Sequence, residues 1–189
     1  FALDWETGQN KLWEVKLGRG SIQGGVHFGM AAGGTTVYVP INDMNDTRNG
    51  EWLDPETARP GVSAVDAVTG EVLWSHVQEN VCGEGRPFCD PGVSAAITAT
   101  DGAVIAGHLD GIIRIYDGPT GDIIWSYDTT TPVEGTNGVT AKGGGMSGSG
   151  PALGAGHMVI NSGYGLYNHE AGNALLVFAP KSSGTVSAR

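Results

Sequence analysis

Positive charge is scarce in this sequence: Lys and Arg number 10 against 20 Asp and Glu over 189 residues, a formal charge of −10. No basic patch interrupts that balance, so nucleic acid and anionic membrane surfaces are excluded as partners on Coulomb grounds. No apolar run approaches the roughly 18 residues that a membrane span needs. The opening Phe1-Ala2-Leu3-Asp4-Trp5 has neither the basic nor the apolar region of a signal peptide, so the chain reads as either mature or cut from something longer. Cysteine is limited to Cys82 and Cys89, on a segment too rich in Gly and Pro for a helix or a central strand. That pair suits a small disulfide in an oxidising compartment, worth roughly 2–3 kcal/mol, or two free thiols in a reducing one. Its spacing excludes a CxxC redox or zinc pair, and without a CxxCH no c-type haem attaches here. His76, His108, His157 and His169 are scattered, with no HExxH spacing for zinc, and no nucleophilic serine elbow or Cys-His pair points to a hydrolase. Helix is missing too, because Gly, Pro or β-branched residues interrupt every candidate window.

What is present is glycine, 32 residues of it, with Pro, Thr, Ser, Asn and Asp punctuating short apolar runs. That is the pattern of many short strands. A motif also recurs. Asp4-x-x-Thr7-Gly8 with Trp13 returns as Asp66-x-x-Thr69-Gly70 with Trp74, and as Asp117-x-x-Thr120-Gly121 with Trp125. A degenerate fourth copy, Val177 to Gly184, lacks both the Asp and the Thr. The Asp positions lie 62 and 51 residues apart, and Ala179 follows after another 62. Strand-built repeats of that length are propeller blades. Within the motif an apolar dipeptide ends one strand, the Asp side chain accepts from the following amides, and Thr-Gly makes the tight turn. The chain then reverses into a strand whose tryptophan buries against the neighbouring blade.

The strands leading into the second motif are read at 25–31 and 37–40. Those leading into the third lie at 93–98 and 103–106, and those leading into the fourth at 148–153 and 158–161. The chain is thus expected to be all-β, a single propeller segment of four-stranded antiparallel blades. It carries the end of one blade (1–17), two whole blades (24–78 and 92–128) and most of a further one (147–189). Such a set does not close a ring, since propellers have four to eight blades, and the remaining blades are expected partners. The stretches 42–60 and 129–146 read as surface excursions.

The repeat resembles the tryptophan-docking repeat of the PQQ-dependent (quinoprotein) dehydrogenases and their cofactor-free relatives. Further stretches are similar to the C-terminal part of the polyvinyl-alcohol dehydrogenases: Gly24 to Ala31, Gly61 to Asp66, Gly143 to Pro151 with Asn161 to Gly165, and Gly172 to Phe178. The resemblance implies an eight-bladed propeller in the periplasm or secreted. Near its axis it would hold pyrroloquinoline quinone (PQQ) and calcium, oxidising secondary or polymeric alcohols and passing electrons to cytochrome c or another acceptor. The family's catalytic carboxylate is not matched in this segment. Where relatives often place an acidic residue and a tryptophan after the Gly-Gly, this chain has His27 and Phe28.

The resemblance puts His27, Phe28, Ser94, Ser149 and Ser147 on the innermost strands, where they line the channel. His27 either bonds the quinone and relays a proton or serves as a hydrogen-bonded structural histidine. In an alternating strand Phe28 points away from His27, so it packs into the core or, alternatively, beside a planar cofactor. The Asn42 to Thr47 cluster offers hard oxygen ligands of the kind calcium prefers, but fails the EF-hand template and reads as a solvated loop. Gly143-x-Gly145-x-x-Gly148 matches a dinucleotide fingerprint only literally, because Gly150-Pro151 follows where a helix is required.

Overall fold

A computed structural model describes residues 1–21, 23–43, 57–83, 86–164 and 167–181; the tail of the fourth motif and residues 44–56 lie outside them. Every regular element among the described residues is a strand. Blade I contributes β1 (Ala2–Leu3) and β2 (Lys11–Trp13). Blade II is β3 (Ala31–Gly33), β4 (Thr36–Ile41), β5 (Gly61–Asp66) and β6 (Val72–Val77), antiparallel in chain order. Blade III repeats this with β7 (Thr98–Thr100), β8 (Ala103–Gly107), β9 (Ile112–Asp117) and β10 (Ile123–Asp128). A hairpin of β11 (Val133–Glu134) and β12 (Thr140–Ala141) interrupts the stretch expected to be a plain excursion. Blade IV shows three strands, β13 (Ala152–Gly154), β14 (His157–Ser162) and β15 (Ala174–Phe178).

The motif works as turn chemistry demands. Asp66 Oδ1 accepts from the amides of Val68 and Thr69, at 2.9 and 2.8 Å, and Gly70 N–H donates to Asp66 O at 2.9 Å. Asp4 takes the amides of Glu6 and Thr7 in the same way, and Asp117 takes that of Thr120. The glycine closing each turn is left-handed, with φ of 64° at Gly8 and 77° at Gly70 and Gly121. An L side chain resists that conformation.

The same glycine makes room for the tryptophan of the preceding blade. A Cβ on Gly70 would lie 2.6 Å from the Trp13 indole, and one on Gly121 would lie 2.5 Å from Trp74. Trp13 Nε1–H donates to Ala67 O at 3.0 Å, and Trp74 Nε1–H to Gly118 O at 2.8 Å. Each indole is thus seated on the next blade's turn by face and by edge. Trp125 is 36% exposed and lies against Tyr127 and Phe178, their ring centroids 6.1 and 5.5 Å away.

The sheets of blades II and III are apolar on both faces and are covered on both sides. Val39, Ile41 and Val65 of blade II meet Trp13, Val15 and Leu17. Val62 and Ala64 on its other face meet Val104, Ala106 and Tyr116 of blade III. Ile105 and Ile113 then meet Met158 and Ile160 of blade IV. Outside that last layer, an apolar groove of ≈ 780 Å³ opens between β10 and β15.

Two sequence expectations need correction. Ladder pairing begins at Ala31, Thr98 and Ala152, several residues later than read, because the approaches to them bend rather than run as strands. The first residues of the 42–60 stretch are also not solvated: Asn42 and Asp43 are fully buried. Asp43 accepts the amides of Arg19, Gly20 and Arg59 at 3.0, 2.9 and 2.9 Å, an internal anchor rather than a cation site.

Candidate functional site

The glycine-rich approaches to β3, β7 and β13 are laced together. Phe28 N–H donates to Ser94 O, Ile97 N–H to Gly29 O and Ala96 N–H to Gly148 O, at 3.3, 3.3 and 2.9 Å. Side chains follow the same route across the blades. His27 Nδ1 shares a hydrogen bond of 2.8 Å with Ser94 Oγ, and Ser94 Oγ shares one of 3.1 Å with Ser147 Oγ. Ser94 and Ser147 are buried, while His27 is half-buried.

Of the residues singled out from the sequence, His27, Ser94 and Ser147 therefore meet, whereas Ser149 is exposed and outside the chain of bonds. Phe28 does not point away from His27. Their ring centroids are 4.1 Å apart, and Phe28 is 45% exposed rather than in the core. The expected alternation fails because this segment bends instead of pairing.

Beside this lies a polar group the sequence did not announce. Asn42 Nδ2 donates to Gln23 Oε1 at 3.0 Å, so Gln23 presents its Nε2 to His169 Nε2, 3.2 Å away. An amide nitrogen only donates, hence His169 Nε2 accepts and its proton sits on Nδ1. Asn42 Oδ1 and His169 Nδ1 are buried and find no hydrogen-bond partner among the described residues. Burial, aided by the nearby His27, lowers the pKa of His169 to about 4, and burial lowers that of His27 as well. Both imidazoles are neutral at pH 7.

The sign of the pH effect follows. As pH falls from 6.5 towards 4, the unfolded chain binds the His169 proton and the folded chain does not, so stability is lost across that window and levels off below it. Unfolding in urea at pH 7 and pH 4.5 is expected to show His169→Gln sparing about 2–3 kcal/mol of the acid-induced loss. Equal losses in both proteins would mean that His169 is not held neutral.

Residues 1–146 match the family model PQQ_2, described as outer membrane protein assembly factor BamB. The chain belongs to this family of PQQ-type β-propellers. It is 36% identical over 175 residues to polyvinylalcohol dehydrogenase of Sphingopyxis sp. (strain 113P3), covering 91% of this chain and 26% of that protein. It is 33% identical over 189 residues to polyvinylalcohol dehydrogenase of Pseudomonas sp., covering 95% of this chain and 28% of that one. The PQQ-type chain thus spans about a quarter of these relatives' length. Among solved structures, quinohemoprotein alcohol dehydrogenase from Comamonas testosteroni is similar at TM-score 0.48 and 22% identity, over 72% of this chain and 17% of that one.

The donor set suits an acceptor-rich planar ligand such as PQQ. A buried Nδ1–H on His169, the hydroxyls of Ser94 and Ser147 and the exposed Phe28 ring gather where blades II, III and IV converge. It does not suit calcium: no group of three or more His, Cys, Asp or Glu side chains that could hold a metal ion occurs among the described residues. No helix of the described residues is long and apolar enough to cross a membrane.

Proposed function

We propose that this chain forms one sector of a quinoprotein alcohol dehydrogenase with PQQ as cofactor. The observation that carries this reading is the His27–Ser94–Ser147 bond chain, in a sequence 33–36% identical to two polyvinylalcohol dehydrogenases. PQQ, when bound, supplies the two-electron oxidising power for converting an alcohol to a carbonyl compound. His27 and Ser94 would hold the acceptor groups of the quinone, Phe28 would cover its plane, and Ser147 would fix the Ser94 hydroxyl. An eight-bladed closed ring with calcium held by its other blades, a periplasmic or secreted location, secondary or polymeric alcohols as substrate and cytochrome c as electron acceptor belong to the same proposal.

The test is reconstitution in a protein in which these blades sit in a closed ring. With PQQ and Ca²⁺ added, a secondary alcohol is expected to reduce a dye at a rate that depends on the quinone. His27→Ala is expected to weaken PQQ binding about 10- to 100-fold, the effect of losing one or two good hydrogen bonds. Absence of both quinone binding and turnover would leave the other reading, a cofactor-free propeller used as a binding or assembly scaffold. The description of the matching family model favours that alternative.

A further inference from the structure

Cys82 and Cys89 are joined by a disulfide, and the loop they bound lies over the junction of blades III and IV. Arg86, inside that loop, reaches both blades with one nitrogen: Nη2 donates to Asp110 O at 2.9 Å and to Glu170 Oε2 at 2.5 Å. Glu170 N–H in turn donates to Phe88 O at 3.2 Å, so the loop grips Glu170 by side chain and backbone together. Lys142 Nζ adds a bond to Glu170 Oε1 at 3.4 Å, and Gly145 N–H donates to Glu170 O at 2.8 Å.

His169 is the next residue, and what precedes it is strained. Tyr167 and Asn168 both lie in the left-handed region, with φ of 57° and 61°. Asn tolerates that conformation but a bulky Tyr does not, so the surroundings must hold it there. The segment keeps its shape because it is tied at Glu170, and the tie also aims His169 at Gln23 of blade II.

We propose that the Cys82–Cys89 loop is a redox-breakable clasp, in which Arg86 acts as a positioning residue holding Glu170, and through it His169, in the inner polar cluster. The breaking step is thiol–disulfide exchange with a dithiol. Two electrons and two protons pass to the two cysteine sulfurs as the S–S bond opens, and the dithiol leaves as its own disulfide. The opened loop no longer confines Arg86, and the cluster loosens at its blade IV side while the blade cores stay packed.

Imidazole NMR of the oxidised protein without added quinone tests this, with His169 assigned by comparison with His169→Gln. The groups facing the ring are His27, Gln23 and, next along the chain, Glu170 with its Arg86 and Lys142 partners. In the oxidised protein His169 is expected to stay neutral down to about pH 4. Arg86→Gln, the Cys82→Ser/Cys89→Ser pair and reduction with dithiothreitol should each raise its titration midpoint by about one pH unit or more, a tenfold gain in proton affinity. Arg86→Lys should restore most of the oxidised behaviour. The near-UV circular dichroism of the tryptophans should stay unchanged throughout. An unmoved midpoint in Arg86→Gln overturns the proposal. So does loss of the tryptophan signal together with the shift, which would make the loop a support of the whole fold. Neither result touches the quinone reading, since no quinone is involved.

Discussion

Replacing Trp74 by alanine is expected to cost about 3 kcal/mol or more of unfolding free energy, measured as a lowered urea midpoint at unchanged slope. The indole packs on the blade II–III core with Tyr38 and Tyr116, ring centroids 6.0 and 6.5 Å away, and lies against Gly121. Truncation opens a cavity and leaves Gly118 O without the Nε1–H it accepts at 2.8 Å. Gly121→Ala should be comparably damaging, because it adds a methyl 2.5 Å from the ring at a residue whose φ is 77°. The two effects should not add: in Trp74→Ala the ring that the methyl would strike is gone, leaving only the conformational cost at 121. A Trp74→Ala loss below about 1 kcal/mol would show that the indole does not seal the blades.

The second large effect is at Asp110. Its carboxylate is fully buried and accepts two bonds from the 4%-exposed Arg114, at 3.1 and 2.7 Å, plus the Ile112 amide at 2.9 Å. Burial raises the Asp110 pKa even against the guanidinium, so removing the carboxylate from water outweighs the attraction it gains. Such a pair adds little net stability, but half of it is costly. Asp110→Ala strands an uncompensated guanidinium and is expected to destabilise by about 3–5 kcal/mol. Replacing both partners together with apolar residues of similar volume should cost far less than the single change. If the double replacement is as damaging as Asp110→Ala, the explanation by an orphaned charge is wrong.

Much of the architecture was legible because it rests on local chemistry. Asp66, Thr69 and Gly70 are required by one turn, and Trp74 by a fixed offset from it, so the repeat shows in one dimension what the blades do in three. The innermost strands were read too early because Val26 to Met30 and Val93 to Ile97 carry apolar residues in short-strand style. Their backbones instead bend and bond to neighbouring approaches, Phe28 to Ser94, Ile97 to Gly29 and Ala96 to Gly148, rather than to their own blades. That bending also brought Phe28 beside His27, which no alternation rule could foresee.

The inner polar group was harder to see. Gln23 and His169 are 146 residues apart, and neither falls in the repeated motif. Arg86 was hidden inside a segment whose Gly, Pro and Cys content spoke only of a tight loop. His27, Ser94 and Ser147 were reached through the family resemblance, whereas His169 was not, since it enters from the connection between β14 and β15.

Blade I lends Trp13 forward to blade II, and blade II lends Trp74 forward to blade III. This makes the contact between neighbours unlike on its two sides, so repetition is head-to-tail and every added unit turns in the same sense. A row built that way has no natural stopping place except return to its own beginning. The rotation that Trp13 and Trp74 impose between successive sheets, rather than any feature of a single sheet, decides how many units complete the circle.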